Sequence, residues 1–146
     1  MESDVWNSLS RFQTHDLVRR EYERRHGREL SAARTWELTS CFVQAREYFA
    51  SAKSAAEAVR PLLLYYGVLS VSRGMILFLK PGATEESLKP SHGLRTNNWN
   101  ATFARQPPTV RGLEVVVEAG AFAELAAVTA GSAPRLSASH SSAACL

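Results

Sequence analysis

The chain has 146 residues, of which 45% are hydrophobic and 21% charged, and its formal net charge is +3. This length predicts one domain with its own core, and this composition excludes a chain that is disordered throughout. The two cysteines, Cys41 and Cys145, lack the spacing of metal ligands or of a disulfide framework, so we expect no metal site and no cofactor.

The positive charge is carried mainly by arginine, since only three of the 17 basic residues are lysines. Arginine recognises planar anions with two parallel hydrogen bonds, but a net charge of +3 is a weak argument for nucleic acid as the principal partner. The first residues, Met1 to Asp4, are acidic and no apolar signal segment follows them. We therefore expect a cytoplasmic location.

Three amphipathic helices are predicted in the first third of the chain. The first covers residues 3–13 and has apolar side chains about one turn apart, namely Val5, Trp6, Leu9 and Phe12. The second begins after Thr14 and ends at Gly27, which accepts a left-handed conformation. The third begins at Ser31 and runs to about Lys53, with a core-facing stripe of Leu38, Phe42, Ala45, Phe49 and Ala52.

A central apolar helix is predicted from Pro61 to Leu79, after an alanine-rich stretch, residues 54–59, that we also expect to be helical. It is apolar nearly all round, apart from Arg73, and such helices form a protein core or span a membrane. An arginine at the bilayer centre costs roughly 2.5–3.5 kcal/mol, so we interpret the helix as a core helix and expect no membrane partner. Small residues at Gly67, Ser70 and Gly74 predict close packing on one face, while core filling is expected from Leu64, Val68, Val71, Met75 and Phe78.

The last third of the chain predicts a small β element. Residues 95–109 are polar and read as a loop, residues 113–117 as a strand, residues 120–130 as a short helix, and residues 131–146 as a disordered tail. Because one strand is not a stable sheet, we expect its partner to come from another chain or from residues beyond 146 in a longer protein. The predicted fold is mainly α: a helical bundle in one domain, residues 1–130, around the central apolar helix, with a small β element after residue 110.

Three segments resemble the YaaC-like family of bacterial proteins. They are RPLLLYYGVLSVSRGMILFL (residues 60–79), KPSHGL (residues 89–94) and QAREYF (residues 44–49), and the resemblance covers roughly residues 5–128. The chain resembles the N-terminal part of longer family members. The resemblance implies the fold but assigns no reaction.

A looser resemblance is to HEPN domains, which are helical modules common in bacterial toxin and phage-defence systems. Many of them are RNases that have four to six residues between an arginine and a histidine, and both Arg19 and Arg20 match that spacing to His26. This resemblance implies an alternative function, an RNase with Arg20 and His26 as catalytic residues, and a role in defence or stress.

Four further residues are candidates for binding a ligand. Arg60 stands at a helix N-terminus, where an anion is favoured, or it pairs with Glu57. Tyr65 stacks on a base or packs in the core. Arg73 binds an anion in a cleft or pairs with a carboxylate, for which Glu47 is the candidate, since Glu85 and Glu86 look solvated. His92, between Ser91 and Gly93, acts as an acid, base or ligand, or its ring fixes the turn.

No motif for phosphate binding or nucleophilic catalysis is present in the sequence. The sequence therefore favours a non-enzymatic helical module that binds a partner or a nucleotide-like ligand. The expected partner is another protein chain, either a second copy in a homo-oligomer or a different subunit, and RNA is kept as an alternative partner.

Overall fold

The computed structural model describes residues 2–105, 113–130 and 144–145. The chain divides into two compact units, Met1–Leu88 and Lys89–Leu146. The expectation of one domain over residues 1–130 stays a prediction.

The first unit is helical. Its elements are α1 (Glu2–Ser10), a 3₁₀ turn (Arg11–Gln13), α2 (His15–His26), α3 (Ala32–Ser54), α4 (Arg60–Leu79) and a second 3₁₀ turn (Glu85–Ser87). These helices confirm the mainly α fold that the sequence predicts.

Most of the helix ends follow the local signals. Gly27 adopts a φ of 63° and its N–H donates to the Glu23 carbonyl, which closes α2. The Ser31 hydroxyl accepts from the Arg34 N–H at 3.3 Å and caps α3. Thr14 occupies the capping position of α2, but its hydroxyl makes no capping bond.

The prediction of helix over residues 54–59 is wrong beyond Ser54. α3 ends at Ser54, and Ala55 is extended, with φ −73° and ψ 149°. The following turn, closed by the Arg60 N–H on the Ala56 carbonyl, reverses the chain so that α4 packs back on α3. The helix propensity of alanine is too small to outweigh this tertiary packing.

The core of the first unit lies mainly between α3 and α4. From α3 it takes the predicted stripe, in which Leu38, Phe42, Ala45 and Ala52 are buried. From α4 it takes Ile76, Leu77 and Phe78. Gly67 and Gly74 face α3 so closely that a methyl group on either would touch Phe49 or Phe42, which confirms the predicted close-packing face.

Burial changes along the length of α4, which corrects the prediction of a helix that is buried throughout. Its C-terminal half is in the core, whereas its N-terminal half is exposed: Leu62 is 53% and Val68 57% accessible, and Leu64 is also exposed. Leu64 and Val68 therefore do not fill the core. α4 is long and apolar enough to cross a membrane, and 39% of its most apolar 18-residue stretch is buried in the protein. The interpretation of α4 as a core helix rather than a membrane span stays a prediction.

The second unit contains a small antiparallel sheet and two short helices. Its elements are β1 (Leu94–Asn97), α5 (Trp99–Phe103), β2 (Glu114–Val117), α6 (Ala121–Ala130) and β3 (Ala144–Cys145). The strand order is β1-β2-β3, with Leu94 opposite Val117 and Val115 opposite Ala144.

Three predictions for this region are corrected. Residues 94–97 and 99–103 form β1 and α5 rather than a loop, and the β element thus begins before residue 110. The partner of β2 is β1 of the same chain, since the β1 backbone pairs with β2 although three of its four side chains are polar. Ala144–Cys145 pairs with β2, whereas residues 131–143 and 146 of the predicted tail lie outside the described residues.

Candidate functional site

A groove in the first unit contains one of the predicted ligand-binding residues, Arg60. Its walls come from α1, α3 and the first turns of α4, and its volume is about 550 Å³. The residues that line it are Val5, Trp6, Phe49, Ala52, Lys53, Arg60 and Leu64. We call this set the α1–α3–α4 groove.

The Arg60 guanidinium is positioned at the groove by the turn before α4. One of its N–H groups donates to the Ala55 carbonyl at 3.2 Å. The pairing with Glu57 considered from the sequence is replaced by this bond to the backbone. Since a carbonyl carries no net charge, the positive charge of Arg60 is not neutralised by it.

A smaller pocket of about 260 Å³ adjoins the groove and shares Trp6, Phe49 and Lys53 with it. It adds Arg46, whose guanidinium donates to the Gln13 side-chain oxygen at 3.0 Å. Among the described lining residues of both cavities, every charged side chain is a cation. This arrangement can hold an anionic group beside an apolar body.

Tyr65 is exposed on a different side of α4 from Leu64, because successive helical residues lie about 100° apart. Its ring centroid is 5.2 Å from that of Tyr66, which stacks on Tyr48 at 5.6 Å. Tyr65 therefore belongs to an exposed aromatic surface rather than to the groove or the core.

Arg73 is held by a carboxylate, but the partner predicted from the sequence is wrong. Its Nε donates to Glu85 Oε1 at 2.7 Å, so the partner is Glu85 rather than Glu47. Glu85 is consequently an ion-pair partner of α4, although its side chain stays 40% accessible to solvent. The backbone N–H of Glu85 also donates to Glu37 Oε2 at 3.4 Å, and Arg34 lies 3.3 Å from that same oxygen. The pairing gives Arg73 a structural role that joins α4 to the turn after it.

Cys41 lies close to this ion pair and is buried, with 7% of its surface accessible. Burial, together with a smaller contribution from the nearby Glu85 carboxylate, raises the pKa of the Cys41 thiol to about 12. The thiolate is the reactive form of cysteine, so Cys41 is inert at neutral pH. This confirms that Cys41 is a small core residue.

His92 lies in the second unit, in a loop that is hydrogen-bonded to the first turn of α6. The carbonyl of His92 accepts from the Phe122 N–H at 2.9 Å, and that of Ser91 accepts from the Ala121 N–H at 2.9 Å. The imidazole Nδ1 accepts from the Leu94 N–H at 3.0 Å. These bonds give the loop histidine a turn-fixing role; a chemical role for it stays a prediction.

Arg20 and His26, the residues of the RNase alternative, are not brought together. Six residues of continuous helix separate them by about 9 Å along the axis and by about 240° around it. His26 Nε2 lies 2.8 Å from the Phe78 carbonyl and its ring contacts Tyr22. Arg20 is exposed and lines a separate charged pocket with Asp16, Arg19, Glu23, Glu29 and Leu30.

The groove residues other than Arg60 were missed by the sequence analysis. Val5, Trp6, Phe49, Ala52 and Leu64 carry ordinary apolar periodicity, which does not distinguish a core from a groove. Lys53 gave the only available signal: a cation in the last turn of α3 that the loop to α4 brings near Arg60. In the part of the chain that the structure describes, no group of three or more histidine, cysteine or acidic residues is arranged to hold a metal ion.

The model of the YaaC-like protein family matches residues 6–134. No curated protein and no solved structure matches the chain. The resemblance to HEPN domains stays a prediction.

Proposed function

We propose that the chain, which belongs to the YaaC-like protein family, is a non-enzymatic helical module that assembles with a second copy of itself. The family model includes all of the first unit except residues 1–5. The observation that carries this proposal is the exposed N-terminal half of α4. It is the part of the molecule in which an apolar helix, expected in a core, meets solvent.

The exposed surface consists of four large side chains within two turns of α4. We call it the α4 outer face; its members are Leu62, Tyr65, Tyr66 and Val68, with accessible fractions of 53%, 41%, 41% and 57%. Soluble monomers rarely expose large contiguous apolar surface, and such patches typically mark interaction sites. Tyrosine at its centre is typical of protein interfaces.

Charge supports a second copy as the occupant. Residues 61–72 carry no charged side chain, so the complementary surface must itself be uncharged and apolar. Every copy of the chain presents such a surface. Two copies related by a twofold axis perpendicular to α4 would pack their α4 helices antiparallel and cover the same four residues on each side.

The test measures molecular mass in solution against protein concentration, by size-exclusion chromatography with light scattering and by sedimentation equilibrium. The unsubstituted protein is expected to be a dimer at micromolar concentration. Val68→Lys places a charge at the most exposed position of the α4 outer face and is expected to raise the dimer Kd by about tenfold or more, the effect of burying an uncompensated charge.

Val43→Lys is the matched control, because Val43 is an exposed valine of α3 outside the α4 outer face. This control is expected to keep the dimer, and circular dichroism shows whether both variants retain the helical fold. A protein that stays monomeric over the whole micromolar range contradicts the proposal. Partition of the protein into lipid vesicles in place of dimer formation also contradicts it, and assigns the face to a membrane.

A further inference from the structure

We propose that the α1–α3–α4 groove binds an anionic amphiphile, a molecule with an apolar chain or ring system and one carboxylate or phosphate group. This inference goes beyond the proposed self-assembly and uses other residues. It follows from the combination of an apolar floor and cationic side chains in one cavity.

The floor of the groove is apolar. Val5 and Trp6 come from α1, Phe49 and Ala52 from α3, and Leu64 from α4. The Trp6 and Phe49 rings meet edge to face, with centroids 5.5 Å apart, and fix one wall. A volume of about 550 Å³ lies in the range of small-molecule sites, about 300–1,000 Å³.

The charged side chains of the groove have one sign. Lys53 and Arg60 line it, and Arg46 lines the adjoining pocket. The hydrogen bonds that orient Arg46 and Arg60 go to an amide oxygen and a backbone carbonyl, neither of which carries charge. These two cations therefore keep their attraction for an anion that enters the groove.

The lining chemistry favours an amphiphile over a nucleotide. Apart from its cations and the Trp6 indole N–H, the groove is lined by hydrocarbon side chains. A nucleobase placed there would lose the hydrogen bonds of its polar edges to water without replacement, which costs free energy for each group left unpaired. An alkyl or aryl body loses nothing of this kind on burial.

The test compares probes that share one tail and differ in the charge of the head group. Decanoate, decyl phosphate and decyltrimethylammonium are titrated below their critical micelle concentrations, and decanol below its solubility limit, and all four are followed by calorimetry. In a Trp36→Phe, Trp99→Phe background, Trp6 is the only remaining tryptophan, and its fluorescence reports occupancy of the groove. The two anions are expected to bind at least about tenfold more tightly than decanol, and the cation most weakly.

Substitutions distinguish the contribution of the cations to the affinity from that of the apolar floor. Lys53→Gln with Arg60→Gln is expected to lower the affinity for both anions about tenfold or more and to leave decanol unchanged. Leu64→Ser, at an exposed position, is expected to weaken all probes alike. The matched control is Arg28→Gln with Lys89→Gln, which removes one arginine and one lysine at exposed positions outside the groove.

Three results would overturn the inference. Equal affinity for the anionic, neutral and cationic probes removes the role of the cations. An equal loss in the control variant assigns the effect to overall charge. Binding of adenosine monophosphate without binding of either decyl anion assigns the cavity to nucleotides. Monomeric protein that still binds decanoate contradicts self-assembly but supports the ligand site, so the two proposals fail separately.

Discussion

At the residue scale, the two glycines in the middle of α4 have different neighbours. A Cβ at Gly74 would lie 2.8 Å from Phe42 Cε2 and 3.1 Å from the Cys41 Cβ. A Cβ at Gly67 would lie 3.0 Å from Phe49 Cε2. Phe42 is 1% accessible and enclosed by the core, whereas Phe49 is half-buried and borders the open groove.

Gly74→Ala is therefore expected to destabilise the protein by about 1–2 kcal/mol. Overpacking costs about 1–3 kcal/mol and outweighs the gain in helix propensity, about 1 kcal/mol. The matched variant, Gly67→Ala, is expected to be neutral within about 0.5 kcal/mol, because the smaller contact cost and the helix gain offset each other. Urea denaturation measures both free energies of unfolding, and equal effects at the two positions would contradict this reading of the packing.

The sequence predicted the residue types of the candidate site better than their contacts. Arg60 was found by its place at a helix start, and it does line a groove. The partner of Arg73 was assigned wrongly, because Glu47 on the neighbouring helix was considered and Glu85 was taken as solvated. The turn after α4 brings Glu85 back to Arg73, and no periodicity in the sequence encodes such a return.

At the element scale, the course of α4 shows what hydropathy leaves undetermined. Its bounds, 60–79, are close to the predicted 61–79, since Pro61 and the end of the apolar run define them. Its burial changes along the helix axis, whereas amphipathic periodicity reports burial around the axis. The sequence therefore predicted the helix and its close-packing face but not its exposed half.

β1 illustrates a different limit. Of its four residues, Leu94 is half-buried and the next three are exposed, so the segment lacks the alternation that indicates a strand. It is a strand because its backbone pairs with β2, residue for residue, from Leu94 opposite Val117 to Asn97 opposite Glu114. Pairing between distant segments is a tertiary property that single-sequence patterns do not carry.

The start of α6 depends on a backbone contact between Gly93 and Gly120. A Cβ on Gly120 would lie 2.6 Å from the Ser91 carbonyl oxygen and would also collide with the Gly93 backbone. Gly93 itself has a φ of 77°, which disfavours any other residue. The His-Gly segment thus holds the first turn of α6 through main-chain atoms.

Gly120→Ala is expected to destabilise the second unit by about 2 kcal/mol or more, because backbone atoms cannot move aside as a side chain can. Faster hydrogen exchange of the Ala121 and Phe122 amides would measure the loss, since those amides donate to Ser91 and His92. Gly82→Ala is the opposite case, because Gly82 has a positive φ, of 86°, and open space around it, whereas Gly120 has close contacts without a positive φ. A larger effect at Gly82 than at Gly120 would show that dihedral strain, rather than the contact, is what matters.

At the scale of the whole molecule, the buried apolar side chains are unevenly divided between the two units. Among the described residues, all of the buried hydrophobic side chains except Leu113 and Ala121 belong to the first unit. Burial of apolar surface is the main favourable term in folding. The first unit therefore carries most of the stability in the described part of the chain.

Native-state hydrogen exchange is expected to show this division directly. The slowest amides should lie in the middle of α3 and in the C-terminal half of α4, around Ile76 and Leu77, which are fully buried. Amides of β1, β2 and α6 should exchange faster, through openings that leave the first unit intact. Protection in β2 as high as that in α3 would mean that both units unfold together.

The bond between Arg73 and Glu85 also bears on the angle at which α4 is rotated about its own axis. A helix that is apolar on most sides buries nearly the same hydrophobic area at many rotation angles. Hydrophobic burial alone therefore leaves that angle loosely defined. A single guanidinium that must reach Glu85 selects one angle and penalises the others, as a lone polar residue does in a coiled-coil seam. Together with the close-packing face at Gly67 and Gly74, the residue that interrupts the apolar run thereby specifies which residues of α4 point inward.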